Sequence, residues 1–162
     1  MLAMLQALEA TQVGTLVRES LYGFPILVGL HVLGLTFSVG LLMWFDLRLL
    51  GFALMSARVT HVYRRLIPWA TVGFVMMALT GALLFTGYAA SAWGNPYFRV
   101  KAAAIVLAGL NALVYHRSTE RGIAAWDAVV RPPRAARLAG AVSLLAWAVV
   151  ILCGRMMAYT MY

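Results

Sequence analysis

Three histidines, His31, His61 and His116, are the side chains of this sequence best suited to bind a metal or to carry protons. His31 lies in the apolar run at residues 28–34, about nine residues and so roughly 13 Å along a helix from the start of a long apolar stretch. An ionisable side chain at this depth in a membrane is costly when unpaired. His31 therefore either hydrogen-bonds a neighbouring helix or ligates something.

His116 ends a later apolar stretch, and His61 precedes another. Two neutral imidazoles from different helices can hold the iron of haem b, with Arg64 and Arg65 close enough in sequence to pair with its propionates. Alternatively, both histidines face water and lipid headgroups at the membrane boundary.

Two cations, Lys101 and Arg155, each lie about one turn inside an apolar stretch. They either snorkel to the interface or receive haem propionates or a quinone carbonyl beside His31. An iron on His31 would remain five-coordinate or take a second ligand from the same half of the membrane. The candidates there are Lys101, Arg155, Met156, Met157 and Tyr159.

The elements that carry these residues are membrane helices. Hydrophobic residues make up 64% of the 162 residues and charged residues 11%, against roughly 45–50% and about 25% in soluble domains. Four apolar stretches, at 22–45, 67–90, 97–116 and 138–160, approach the ~20 residues that cross the hydrocarbon. We predict a single all-α domain over residues 1–162, an integral membrane four-helix bundle. Residues 1–20 either form a short interfacial helix or fray.

Basic residues are unevenly shared between the two sides of this bundle. Nine lie in or beside the first and third connections: Arg48, Arg58, Arg64, Arg65, Arg117, Arg121, Arg131, Arg134 and Arg137. Four lie on the other side: Arg18, Arg99, Lys101 and Arg155. The positive-inside tendency predicts a multi-pass protein of the bacterial cytoplasmic membrane with both termini in the periplasm. His31 and His116 would then be on the order of 15 Å apart along the membrane normal, too far to share one iron.

Other features narrow the function. The net charge of +8 is spread between apolar runs, which favours contact with anionic lipid over nucleic acid. No HExxH, Walker or GxSxG motif is present, which argues against hydrolytic chemistry. Asp46 and Arg48 indicate a local ion pair or a helix end. Stripes of small residues, such as Gly34 with Ser38 and Ala104 with Ala108, favour close helix packing and also suit a homo-oligomer.

Several segments resemble those of a family of small uncharacterised bacterial four-helix membrane proteins. They are LHVLGL at 30–35, DLRLLG at 46–51, LIPW at 66–69, TG at 80–81, NPYFRVK at 95–101 and NALVYH at 111–116. The order of an early histidine, a lysine opening the third span and a histidine closing it also resembles CopD-like membrane domains and haem-b-binding HemJ-type protoporphyrinogen oxidases. The resemblance implies that His31, Lys101 and His116 are the functional positions.

The sequence leaves three functions open. The first is a membrane-bound b-type haem protein that transfers electrons between quinone and a redox partner protein, with His31 and His116 as iron ligands. The second is a non-catalytic membrane subunit or scaffold whose histidines only hydrogen-bond. The third is a HemJ-like oxidase of a porphyrinogen. Copper handling is disfavoured because Met, His and Cys ligands are not clustered.

Overall fold

The computed structural model of the chain describes residues 1–160, apart from the side chains of residues 119 and 120, and this part is helical without any strand. Its α-helices, in chain order, are α1 (Leu2–Glu9), α2 (Gln12–Glu19), α3 (Gly23–Leu50), α4 (Val59–Gly87), α5 (Ala89–Gly94), α6 (Pro96–Val114) and α7 (Arg134–Thr160). The helices α3, α4 and α7, and α6 with the turn that follows it, are long and apolar enough to cross a membrane. The predicted all-α membrane bundle is confirmed.

The bundle has two ends that differ in composition. The terminal end carries α1, α2, α5 and the last turn of α7. The loop end carries residues 51–58 and the connection between α6 and α7, which begins with a π-helical turn at Tyr115–Thr119 and a 3₁₀ helix at Glu120–Ala125. The nine arginines of the two predicted connections all lie at or near the loop end.

Helix α4 is longer than its predicted span because its first turns belong to the protein core. It begins at Val59 rather than at 67 and continues through Pro68. Arg64 and Arg65 lower the local hydropathy, so the apolar stretch in the sequence begins only after them. Both arginines are exposed, whereas Val59 and Val62 on the same turns are buried. Pro68 is exposed on the helix surface. Proline has no backbone N–H, so one hydrogen bond of α4 is missing on this exposed side of the helix.

The N-terminal segment packs on the bundle instead of fraying. Thr11 caps α2 by accepting a hydrogen bond from the Gly14 amide at 3.2 Å. Gly14 then meets α4 so closely that a Cβ there would lie 2.8 Å from the Thr86 carbonyl oxygen. The Glu9 carboxylate accepts a hydrogen bond from the Ala90 amide at 2.8 Å. The predicted short N-terminal helix is therefore present, divided into α1 and α2.

Helices α3 and α4 approach each other through glycine. A Cβ at Gly73 would lie 2.6 Å from the Ser38 amide nitrogen and 2.9 Å from the Gly34 carbonyl oxygen, so no larger side chain fits there without separating the helices. The small residues of the predicted stripes, Gly34 and Ser38 on α3 and Ala104 and Ala108 on α6, are buried. On α4, Gly73, Met77 and Thr80 are buried as well. Close backbone contact of this kind is how membrane helices gain packing energy where lipid supplies no hydrophobic drive.

Three close pairs order the long helices as α4, α3, α7 and α6. Helices α4 and α6 complete the ring through aromatic side chains near its two ends. At the terminal end Phe85 stacks on Phe98 with ring centroids 5.3 Å apart, and at the loop end Tyr63 meets His116 edge-on at 5.8 Å. The middle of the α4–α6 side is therefore bounded by side chains rather than by direct backbone packing.

Arg48 holds the loop end together from inside the protein. Its side chain is fully buried, and it donates from Nε to the Ala57 carbonyl at 2.9 Å and from Nη2 to the Val129 carbonyl at 3.1 Å. Of the two expectations for Asp46 and Arg48, the helix end is confirmed, since α3 ends at Leu50. The local ion pair is not formed, and Asp46 hydrogen-bonds the Ser143 side chain on α7 instead. Asp46 and Arg48 have different partners because they lie on different faces of the last turns of α3.

Asp127 caps α4 from a distant part of the chain. Its Oδ1 accepts from the Thr60 amide at 2.7 Å, and its carbonyl accepts from the Val59 amide at 3.0 Å. Partial burial opposes ionisation of the carboxyl, but the Thr60 hydrogen bonds and the charges of Arg58 and Arg48 outweigh it and hold the pKa of Asp127 below its usual range. The connection between α6 and α7 is thus fixed to the start of α4.

In the variant Asp127→Asn, the stability of the fold is expected to fall less as the pH is lowered. Because the folded pKa of Asp127 is below its unfolded value of about 3.9, the carboxylate stabilises the fold above that value, and this stabilisation is lost as pH falls through the folded pKa. The variant keeps an acceptor for Thr60 but loses the charge. In detergent its melting temperature should be lower at neutral pH and should fall less between about pH 5 and about pH 3 than that of the native chain. Glu19→Gln, at an exposed carboxylate, is the control, and equal acid sensitivity of the native chain and Asp127→Asn would contradict the role.

Candidate functional site

His31 lies on α3 in the terminal half of the bundle, half-buried against α4. Its Nδ1 is 3.2 Å from Thr80 Oγ1, and the Met77 backbone is within hydrogen-bonding reach of the same ring. The ring packs directly against Gly81 of α4, where a Cβ would lie only 2.9 Å from His31 Cε1. The absence of a side chain at Gly81 therefore lets the imidazole lie directly on α4.

The hydrogen bonds of Thr80 determine which His31 nitrogen carries the proton. The Thr80 hydroxyl donates its one proton to the Met76 carbonyl at 2.7 Å, with the Met77 carbonyl at 3.2 Å. Its oxygen can then only accept from His31, so we assign the proton to Nδ1. The lone pair of Nε2 remains, and this nitrogen has no hydrogen-bond partner among the residues that the structure describes. A metal-bound histidine has the same arrangement, with one nitrogen bonded to protein and the other on the metal.

Lys101 lies close enough to this histidine for the two side chains to interact electrostatically. It lies on α6, and its charge acts on the His31 ring and on Cys153 of α7. A Cβ at Gly154 would lie 3.7 Å from Lys101 Nζ, so the glycine leaves room for the ammonium group. Within residues 1–160 the ammonium group makes no hydrogen bond or ion pair with a protein side chain. It is therefore available to an acidic or carbonyl group of a ligand.

Arg155 is used differently. Its guanidinium donates from Nη2 to the Tyr159 hydroxyl at 2.7 Å and lies over the Tyr159 ring, with Cζ 4.8 Å from the ring centroid. Both residues are exposed on α7 near the terminal end. This arrangement is that of an interfacial arginine and aromatic pair.

The remaining candidates lie at the loop end. His116, in the π-helical turn after α6, packs edge-on against Tyr63 and Tyr115, with each ring centroid 5.8 Å away. His61 is exposed in the first turn of α4. The two arginines that follow it, at positions 64 and 65, are also exposed.

The structure separates His31 from His116. On α4, His31 meets Thr80 and His116 meets Tyr63, and these contacts are 17 residues apart in the sequence. At 1.5 Å per residue the separation along α4 is roughly 26 Å. It is longer than the sequence-based estimate because α3 continues to Leu50, five residues beyond its predicted end at 45. The two histidines belong to separate regions.

A second feature lies in the loop half of the bundle. A cavity of about 300 Å³ is lined by residues of all four long helices. Its walls are mainly apolar, and its larger side chains are aromatic: Phe45, Tyr63, Phe74, Tyr115 and Trp147. His116 also lines it.

Polar groups are placed on the α3 and α7 side of this cavity. Ser38 is fully buried, and its Oγ has no hydrogen-bond partner among the described residues. Asp46 is 3% exposed and hydrogen-bonds the Ser143 side chain. Asn111 lines the same space, but its amide already donates to the Ala139 carbonyl at 2.9 Å.

Sequence reasoning missed this cavity. Ser38 was interpreted as a packing residue and Asp46 as a member of a local ion pair. The available signal was the set of polar residues within the apolar stretches, Ser38, Asp46, Asn111 and Ser143. Their convergence depends on the rotations of α3, α6 and α7, which hydropathy does not give.

Among residues 1–160, no three His, Cys, Asp or Glu side chains come together as a site for a metal ion. A metal held mainly by protein side chains is therefore not supported in this part of the chain, whereas a haem iron needs only one or two protein ligands. No family model, curated protein or solved structure matches the chain.

Proposed function

We propose that this chain is a b-type haem protein of the bacterial cytoplasmic membrane that transfers electrons, with His31 as the iron ligand. The observation that carries the proposal is the 3.2 Å contact between His31 Nδ1 and Thr80 Oγ1. With the proton assigned to Nδ1, Nε2 keeps its lone pair. The excess of arginine at the loop end supports placing that end in the cytoplasm and both termini in the periplasm.

The residues around His31 fit a haem in their chemistry. Thr80 and the Met77 backbone orient the imidazole, and Gly81 keeps it against α4. Lys101 supplies a positive charge in the same region, suitable for a propionate. When bound, haem supplies one-electron redox chemistry. The chain's own contribution is to hold the ring nitrogen in one tautomer and to balance the negative charge of the propionates.

The first test is a reduced-minus-oxidised absorption spectrum of the protein purified after expression with ample haem. The native chain is expected to show a Soret band and stoichiometric iron, and His31→Ala to lose both because the residue that would hold the iron is removed. His61→Ala and His116→Ala are matched controls that should retain the pigment, since these residues lie at the other end of the bundle. A native protein without pigment or iron, or a His31→Ala variant with undiminished pigment, would refute the proposal.

Thr80 variants extend the same measurement to the positioning of His31. Thr80→Val removes the acceptor for Nδ1–H and should weaken haem retention by about tenfold, whereas Thr80→Ser keeps the acceptor and should retain it. The midpoint potential should shift in the valine variant only. A purely structural role of Thr80 would change the melting temperature without moving the potential.

A scaffold without a cofactor is the second candidate, and one observation favours it. The His31–Thr80 hydrogen bond also joins α3 to α4 at a point where both helices are otherwise apolar. If this is its whole role, His31→Ala lowers assembly and stability, and the native protein carries no pigment. A porphyrinogen oxidase, implied by the HemJ-type resemblance, would in addition restore haem synthesis to cells lacking that enzyme.

A further inference from the structure

The cavity in the loop half opens sideways between α4 and α6. Five of its lining residues are exposed on the surface of the bundle: Thr71 and Phe74 on α4, Gly109 and Ala112 on α6, and His116 in the turn after α6. The two on α4 lie in the middle of that helix and the two on α6 lie in its last turns. Both helices are long enough to span a membrane, so this part of the surface faces hydrocarbon. A molecule that enters the cavity by this route comes from the bilayer.

The inner wall of the cavity offers hydrogen bonds that the protein itself does not use. Ser38 is completely buried, and its hydroxyl has no partner among the described residues. Such a group costs free energy unless something hydrogen-bonds it, and a ligand oxygen would recover that cost. Asp46 and Ser143, which hydrogen-bond each other, lie on the same wall and add acceptor and donor capacity.

The charge and shape of the lining restrict the ligand further. The residues that line the cavity include no lysine or arginine, while Asp46 is an acid, so an anionic lipid headgroup has no counter-charge there. Aromatic side chains on the walls, including Phe45, Phe74 and Trp147, suit a flat ring. The volume of about 300 Å³ is at the lower end of ligand pockets, which run to about 1,000 Å³, and matches a single ring with small substituents.

We propose that this cavity binds the head of a membrane quinone, with Ser38 donating a hydrogen bond to a quinone carbonyl and the tail leaving between α4 and α6. The inference rests on the proposed redox function, because a quinone is a lipid-soluble electron carrier that would exchange electrons with the haem. Ser38 lies seven residues after His31 on α3, roughly 10 Å along the helix, so a quinone head at Ser38 is about two helical turns from His31, toward the loop end.

Quinone binding is measured on the full chain in nanodiscs by the saturable quenching of tryptophan fluorescence with a one-isoprene ubiquinone. Ala112→Trp fills the mouth of the cavity and is expected to weaken binding at least about tenfold. Ala103→Trp, an exposed alanine on the same helix, is the matched control and should bind like the native chain. Ser38→Ala removes one hydrogen bond from a buried site and should weaken binding by about fivefold. Because the Ser38 hydroxyl has no partner among the described residues, Ser38→Ala should fold like the native chain. It therefore tests the site even if Ala112→Trp does not assemble.

The outcomes separate this inference from the proposed function. Binding retained in His31→Ala is expected, because pigment and quinone are read from different signals and involve different residues. Equal quinone affinity in the native chain, Ala112→Trp and Ser38→Ala would overturn the inference even if the haem spectrum is present. Equal affinity for an alkylbenzene of the same length would also overturn it, because the site would then select apolar shape and not carbonyl groups.

Discussion

Gly73→Ala is expected to lower the free energy of unfolding by about 2–3 kcal/mol, the typical cost of overpacking a tight contact. The added methyl group would meet the Ser38 amide at 2.6 Å and the Gly34 carbonyl at 2.9 Å, both backbone atoms that cannot rotate away. Helices α3 and α4 must therefore separate. The measurement is thermal or denaturant unfolding in detergent, followed by circular dichroism.

Gly29→Ala is the matched control for this substitution. A Cβ at Gly29 meets no atom within 4 Å, so the change adds helix propensity of up to about 1 kcal/mol without overpacking. The free energy of unfolding should therefore fall in Gly73→Ala and stay the same or rise in Gly29→Ala. If Gly73→Ala were as stable as Gly29→Ala, the close backbone contact between α3 and α4 would not exist in the membrane.

Arg48→Ala is expected to destabilise the loop end by about 3–5 kcal/mol, the cost of breaking a buried, hydrogen-bonded charged group. The substitution leaves the Ala57 and Val129 carbonyls without their donor and creates a cavity where a fully buried side chain was. Arg48→Lys should not rescue it, because an ammonium group cannot reproduce the geometry of the guanidinium fork.

Limited proteolysis shows where the loss occurs. Cleavage of Arg48→Ala is expected in residues 51–58 and in the connection between α6 and α7, because Arg48 joins these segments. Arg117→Ala, at an exposed arginine of the same end, is the control and should resist cleavage like the native chain. Equal resistance of both variants would show that Arg48 is dispensable for closing the loop end.

The helical class was predictable because apolar stretches of membrane-spanning length and buried stripes of small residues both follow from local sequence. The extra turns of α4 were not, since hydropathy registers Arg64 and Arg65 but not that Val59 and Val62 beside them pack inward. Whether residues 1–20 form helices or fray depends on contacts with α4, such as that of Gly14, which no local sequence pattern reveals.

Depth in an apolar run makes His31 a candidate, and its role in binding a ligand stays a prediction, as does that of Lys101. The contact of Thr80 with His31 was missed because the spacing of Thr80 on α4 fits a packing stripe equally well. The sequence indicates the helix end at Asp46 and Arg48 but not their partners, because Ser143 and Val129 lie far away in the sequence. Single-sequence patterns report neighbours one turn away, not those that meet across the bundle.

The partners of the loop end also impose an order on biosynthesis. A chain is made from its N-terminus, so α3 and α4 are synthesised before residues 127 and 129 exist. Until the ribosome has passed those positions, the first turn of α4 lacks its Asp127 cap and Arg48 has only one of its two carbonyl partners. The loop end of the α3–α4 hairpin is therefore incomplete when these two helices are synthesised. Its closure waits until the segment after α6 has been translated.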